Sequence, residues 1–193
     1  MKLDEIELLE SARNGDQEAF KELIIRYEGQ VARTVIGMLG YCPEAEDIGQ
    51  EVFIRFYKAL GQFKGESSVG TYLTRIAINL SLNELKRRKR KALFFFFKPG
   101  TKNDSRKEHH AFDQIPYHRN PGFENEINEL VWSGIEKLEP KFRSVIVLRL
   151  IDGYSTAETA EILNLPMGTV LSRLARGQEK LKEILKPLRR GEQ

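Results

Sequence analysis

The sequence predicts an all-α protein made of two small helical domains joined by a flexible linker. Three observations carry this. Apolar residues recur every three or four positions over several long stretches. No run alternates with period two for long enough to make a strand. Between two helical blocks, residues 98–123 lose all periodicity. The expected domains are residues 1–92 and 125–193, with 93–124 between them.

The opening MKLDEIELLE is amphipathic and acidic and lacks the apolar centre of a signal peptide. Residues 16–39 then place Phe20, Leu23, Ile24, Tyr27, Val31, Val35 and Leu39 on one helical stripe. Pro43 begins the next helix, residues 43–60, where its missing N–H is harmless, and acids follow in the first turn, where the helix dipole favours them. The segment GQFKGESSVG, with three glycines and two serines, reads as a loop. A third long helix covers residues 69–90, with Leu73, Ile76, Ala77 and Leu80 on its apolar side. The middle segment KPGTKNDSRKEHHAFDQIPYHRNPG has three prolines, two glycines and scattered charge, the composition of a tether. The second block resumes helical spacing with Ile127, Leu130, Val131, Trp132, Ile135 and Leu138, followed by three shorter helical pieces.

Charge narrows the function. The chain carries 31 Lys and Arg against 28 Asp and Glu, a formal +3. Residues 86–91 are six consecutive cations, so the remainder of the chain is at −3 and the positive field is a local patch. The apolar run directly after it, ALFFFF, is far short of the roughly 20 residues of a membrane helix. No membrane insertion and a cytoplasmic location are therefore expected, and the single Cys42 agrees with a reducing compartment. His109, His110 and His118 all fall in the tether, far from Cys42, which argues against zinc, and no phosphate-cradling glycine loop occurs. No cofactor and no metal are expected. Glu44, Asp47 and Glu51 share a helix face and keep open a metal-dependent nuclease, although no second acidic motif supports one.

Two stretches are suited to nucleic acid. On the helix of residues 69–90, Arg75, Asn79, Asn83, Lys86, Arg87 and Arg90 recur on one side, amides that can read bases followed by cations that can hold phosphates. In STAETAEILNLPMGTVLSRL the spacing is that of a helix-turn-helix, with small Ala160 at the crossing and Asn164 where a left-handed residue is needed. Its second helix offers Thr169, Ser172, Arg173, Arg176 and Lys180 as donors to bases and phosphates. Solvated basic faces without readout are the plainer alternative for both stretches.

AEDIGQEVFIRFYKAL, GTYLTRIAINLSLNELKRRKR and RSVIVLRLIDGYSTAETAEILNLPMGTVLSRL, in that order and separation, resemble the extracytoplasmic-function group of bacterial sigma factors. The resemblance implies a non-enzymatic protein that binds core RNA polymerase and directs promoter-specific initiation, commonly under an anti-sigma factor. It implies that Asp47, Gln50, Glu51 and Arg55 meet the polymerase clamp helices, and that residues 142–153 meet the flap. Phe63, Lys64, Ser67 and Tyr72 would surround a base flipped from the minus-ten element, with Arg75, Asn79 and Asn83 alongside and Lys86, Arg87 and Arg90 on the phosphates. Thr169, Ser172, Arg173, Arg176 and Lys180 would read the minus-thirty-five element as duplex. A stand-alone helix-turn-helix regulator, which would bind a promoter without polymerase, is the alternative. The chain departs from the family pattern at Leu171, where Lys or Arg is usual, at Gly177-Gln178 for Ala-Arg, and at Val69 and Tyr72 in place of Phe and Trp. Phe94, Phe95, Phe96 and Phe97 are expected to clamp the two domains together in the free protein, since exposed they would invite aggregation; docking on polymerase or an anti-sigma partner, and a membrane or other role, are the alternative readings.

Overall fold

The structure, a computed structural model, describes residues 4–96 and 126–186. Every regular element among them is helical. In the first block, α1 (Glu5–Arg13) starts at a reciprocal cap in which the Asp4 carboxylate takes the backbone N–H of the first turn and Glu7 reaches back. Asp16 starts α2 (Gln17–Leu39) by accepting from the N–H groups of Glu18 and Ala19 at 2.9 and 3.2 Å. Gly40, at φ +74°, ends it, and a Cβ there would strike the Glu136 carboxylate. Pro43 opens α3 (Pro43–Ala59), and a 3₁₀ turn, Leu60–Gln62, leads to the loop before α4 (Val69–Phe96). At 28 residues α4 is roughly 42 Å long and runs past residue 92.

The second block contains α5 (Glu126–Glu136), α6 (Pro140–Ile146) with a π-helical continuation at Val147–Ile151, α7 (Thr156–Leu163) and α8 (Met167–Leu185). Ser155 and Glu158 form the reciprocal cap of α7. Asn164 takes the left-handed conformation, φ 50° and ψ 54°, that lets the chain turn into α8.

The two blocks lie directly against each other. Ile135, Leu138, Ile146, Val147, Leu148 and Ile162 of the second block belong to the same buried core as Leu23, Val35, Met38, Val52, Phe56 and Leu73 of the first. Gly37 of α2 permits the approach, since a Cβ there would come within 2.9 Å of Val147. The buried side chain of Arg143 donates to the Met38 carbonyl at 2.6 Å, Thr34 donates to Asp152 Oδ2 at 2.8 Å, and Gln30 donates to the Tyr154 hydroxyl at 2.7 Å. Arg75 and Glu161 pair at 2.7 Å, but with side chains 37% and 58% exposed this contributes little. Buried apolar area and the shielded hydrogen bonds therefore carry the contact. They are supplied mainly by α2 and α4 against α5, the π turn and α7, whereas Phe94 leaves 72% of its surface exposed. The side chains of Phe95 and Phe96, with Phe97, the tether and its three histidines, lie outside the described residues.

Asp152 gives this contact a pH dependence. Its Oδ1 is buried without a hydrogen-bond partner, and burial pushes the carboxyl from an ordinary 3.8 to about 6, against the opposing pull of the Thr34 hydroxyl and Arg33. Tyr154 also faces it. A carboxyl raised in the closed form favours closure when protonated, so this contribution is complete below the ordinary value and is lost as pH rises through about 6. From a closed radius of gyration of about 16 Å, solution scattering is expected to show an increase of a few Å between pH 5 and 8. Asp152→Asn should flatten the profile; an equally steep profile in that variant would place the titration elsewhere.

Candidate nucleic-acid interface

Three exposed surfaces hold the residues of interest. On α3, Asp47, Gln50 and Arg55 are exposed and Glu51 is half-buried, held by Arg55 at 2.8 Å. Gln50 also lines a cleft of about 610 Å³ between α2 and α3, whose apolar wall includes Ile24, Val31, Ile36, Tyr41 and Phe53 and whose rim carries Glu28 and Glu46. The sequence stripe did not indicate this cleft, because α2 and α3 each bury one apolar line and share a second between them.

The second surface is α4 with the loop before it. Phe63, expected beside a flipped base, is instead a core residue at 7% exposure, its ring edge-on to Phe56 at 5.9 Å and Tyr72 at 5.0 Å. The sequence signal failed here because an aromatic in a glycine-rich loop fits a core anchor as well as an exposed reader. Arg13, unremarked in the sequence, fastens the loop by donating to the carbonyls of Leu60 and Phe63. Lys64 is exposed, and Ser67 and Tyr72 are half-buried beside it. Asn79, Asn83, Lys86 and Arg90 are all exposed along one line of α4, as the spacing predicts, while Arg75 at its start is engaged by Glu161.

The run of six cations is not uniform. Glu84, 9% exposed, takes two hydrogen bonds from Arg87 at 2.6 and 2.9 Å and one from Arg88 at 3.1 Å. Burial alone would raise the Glu84 carboxyl; these guanidinium contacts outweigh it and hold the group below the usual carboxylate range. Arg88 turns inward, reaching the Leu39 carbonyl at 3.4 Å and the Cys42 sulfur at 2.9 Å. Lys86, Lys89, Arg90 and Lys91 remain turned outward, with Arg87 held at the edge.

The third surface is α8. Val170 and Gly177 are buried on its inner side, with Leu174 half-buried between them, and a Cβ at Gly177 would meet Ile146 at 3.1 Å. Gly177 thus serves the close crossing of α8 and α6, so its departure from the family pattern is a matter of packing. The five expected readers do not share one face. Ser172 and Arg176 are exposed on the outer side, whereas Thr169 and Arg173 are half-buried. Lys180 leans toward α6, 3.5 Å from Glu139 and 5.5 Å from the centre of the Phe142 ring. At 100° per residue Gly168, Ser172, Ala175, Arg176 and Glu179 lie opposite the core and Leu171 lies on the flank between the two sides, all of them exposed.

Among the described residues no group of three His, Cys, Asp or Glu is placed to hold a metal, and no helix is long and apolar enough to cross a membrane.

Residues 23–91 match the family model for sigma-70 region 2, and residues 128–181 match that for sigma-70 region 4. The RNA polymerase sigma-H factor of Pseudomonas aeruginosa is 33% identical over 95% of both chains. The extracytoplasmic-function sigma factor SigW of Bacillus subtilis is 34% identical over 93% of this chain and 96% of its own, and the sigma-E factor of Escherichia coli is 35% identical over 94% of both. Among solved structures, the sigma factor RpoE of Bartonella quintana, in complex with the anti-sigma factor NepR, aligns over 86% of this chain and 96% of its own, with TM-score 0.67 and 20% identity. CnrH, in complex with the cytosolic domain of CnrY, aligns over 93% and 96% with TM-score 0.64 and 24% identity. At these identities the two structures bear on the fold alone.

Proposed function

Because the chain belongs to the extracytoplasmic-function group of RNA polymerase sigma factors, we propose a specific assignment of its surfaces within promoter-directed initiation. The single observation that carries the assignment is that two separate exposed faces with polar and cationic side chains, one on α4 and one on α8, stand on a chain whose α3 offers a third surface, an acidic rim beside an apolar cleft. Residues 1–92 hold the core-polymerase and minus-ten functions and residues 125–193 the minus-thirty-five function, with 93–124 as tether. Asp47, Gln50, Glu51 and Arg55 dock on core polymerase, the cleft receiving apolar side chains of a helical partner.

The minus-ten element is then read as an opened strand. Lys64, Ser67 and Tyr72 border the loop that accepts an extruded base, with Phe63 and Arg13 fixing its shape from below. Asn79 and Asn83 face bases, and Lys86, Arg87 and Arg90 neutralise phosphates with a salt-dependent affinity. Extrusion costs a few kcal/mol of stacking, so a preformed pocket with bound phosphates can hold DNA open without fuel. The role is non-catalytic and is exercised in the cytoplasm, where core polymerase is.

The closed arrangement is incompatible with both contacts at once. The centres of the two promoter elements are roughly 80 Å apart in B-form duplex, yet α7 lies against α4, and Val145, Val147 and Leu148 of the proposed flap-binding segment are buried. Initiation therefore requires the blocks to separate, and an anti-sigma factor that holds them together would silence the protein.

Run-off transcription with purified bacterial core polymerase and a pool of promoter fragments tests this reading. Specific transcripts that appear only when the protein is added are expected. Tight duplex binding without core, and no transcript with it, would favour a stand-alone regulator.

A further inference from the structure

We propose that Leu171, with Ala175 beside it, recognises thymine methyl groups in the major groove of the minus-thirty-five duplex; this rests on the assignment of α8 to that element. Met167, Leu171 and Ala175 recur every four residues and are all exposed, Met167 at 57% and Leu171 at 54%. They form an apolar strip on a helix that is otherwise polar outside its core side. Val170 and Gly177 fix the inner side of α8, so Ser172, Ala175 and Arg176 project from the opposite side and Leu171 is exposed on the flank next to Ala175.

The occupant of the strip follows from its neighbours. Arg176 stands on the outer side next to Ala175, Lys182 is exposed further along the strip's own line, and α8 is the second helix of a helix-turn-helix. A cation-flanked strip in that position complements duplex DNA better than an apolar protein partner, which would leave those cations desolvated. Within the major groove, the thymine 5-methyl is the apolar group that an aliphatic side chain can meet. Ser172 can bond to either kind of base edge, and Arg176 can reach guanine or phosphate, so neither demands thymine. Leu171 and Ala175 supply that demand.

The test uses holoenzyme reconstituted with core polymerase. A promoter pool randomised over the minus-thirty-five element first gives the preferred sequence, and each thymine is then replaced by deoxyuridine, which deletes the methyl and keeps the hydrogen-bonding edges. Wild-type holoenzyme is expected to lose roughly 3- to 5-fold in binding at one or two of these positions, the scale of one buried methyl-sized group. Leu171→Ala, at an exposed site where alanine favours the helix, should bind more weakly and lose the thymine–deoxyuridine difference at one of them. Leu171→Arg should bind all sequences more tightly, with a salt slope steeper by about one.

If deoxyuridine is neutral at every thymine while Arg176→Ala still weakens binding, methyl recognition is overturned and the assignment of α8 survives. If neither methyl removal nor Arg176→Ala has any effect on promoter binding by an active holoenzyme, both are overturned.

Discussion

Reversing Asp47 and Glu51 to lysine is expected to abolish promoter-directed transcription, lowering it by at least about 100-fold, without unfolding the protein. Both carboxylates lie on the accessible side of α3, away from Ala45, Val52 and Phe56, which bind the helix to the core. The only ion pair lost among those described is Glu51 with Arg55, whose side chains are 40% and 53% exposed, and such a pair contributes at most about 1 kcal/mol. At an interface the balance differs. Two inverted charges facing a complementary partner cost several kcal/mol through repulsion and unpaired desolvation, and 2.8 kcal/mol already corresponds to about 100-fold. Run-off transcription measures the loss, and competition for core polymerase against the wild-type chain locates it at docking. Unchanged transcription by the doubly reversed protein would remove α3 from the polymerase contact.

How far the sequence anticipates such surfaces depends on the kind of signal. Pro43 at the start of α3 and Asn164 at the turn into α8 are legible because each satisfies a local backbone requirement that no distant residue alters. The line Asn79, Asn83, Lys86 and Arg90 is legible because one long helix converts spacing directly into a face. On α8 the same reasoning is misled. The cations recur at helical spacing, yet the helix is packed against α5, α6 and α7, so Arg173 is half covered and Lys180 leans toward Glu139. Leu171, which stands in the sequence only as a missing cation, is exposed on the flank. The direct contact between the blocks is illegible for a further reason: Gly37 and Thr34 read as weak points in a helix stripe until Val147 and Asp152 are placed opposite them.

Arg143 shows the same limit most strongly and yields the largest predicted effect on stability. In the apolar run RSVIVLRL a cation belongs by pattern at the surface, but Arg143 is 5% exposed. Its guanidinium donates to the carbonyls of Glu136 and Leu138 at the end of α5, the latter at 3.0 Å, and to the Met38 carbonyl at the end of α2. Helix C-termini present unpaired carbonyls and a partial negative charge, so one planar cation completes two helix ends from two blocks. Burial lowers the Arg143 pKa to about 10, partly offset by the Glu136 carboxylate, and the group remains protonated at pH 7. Arg143→Met fills similar space but leaves buried acceptors without donors, at about 1–3 kcal/mol for each acceptor that water cannot reach. The Met38 carbonyl can rehydrate if the blocks part, so the other two dominate and a net loss of about 3 kcal/mol is expected. For a chain of this size that lowers Tm by roughly 6–12 °C, measurable by calorimetry. Arg143→Lys, which keeps the charge and loses the fork, should fall between the two. A Tm within 2 °C of wild type for Arg143→Met would show that these carbonyls find other donors and that the two helix ends do not depend on this residue.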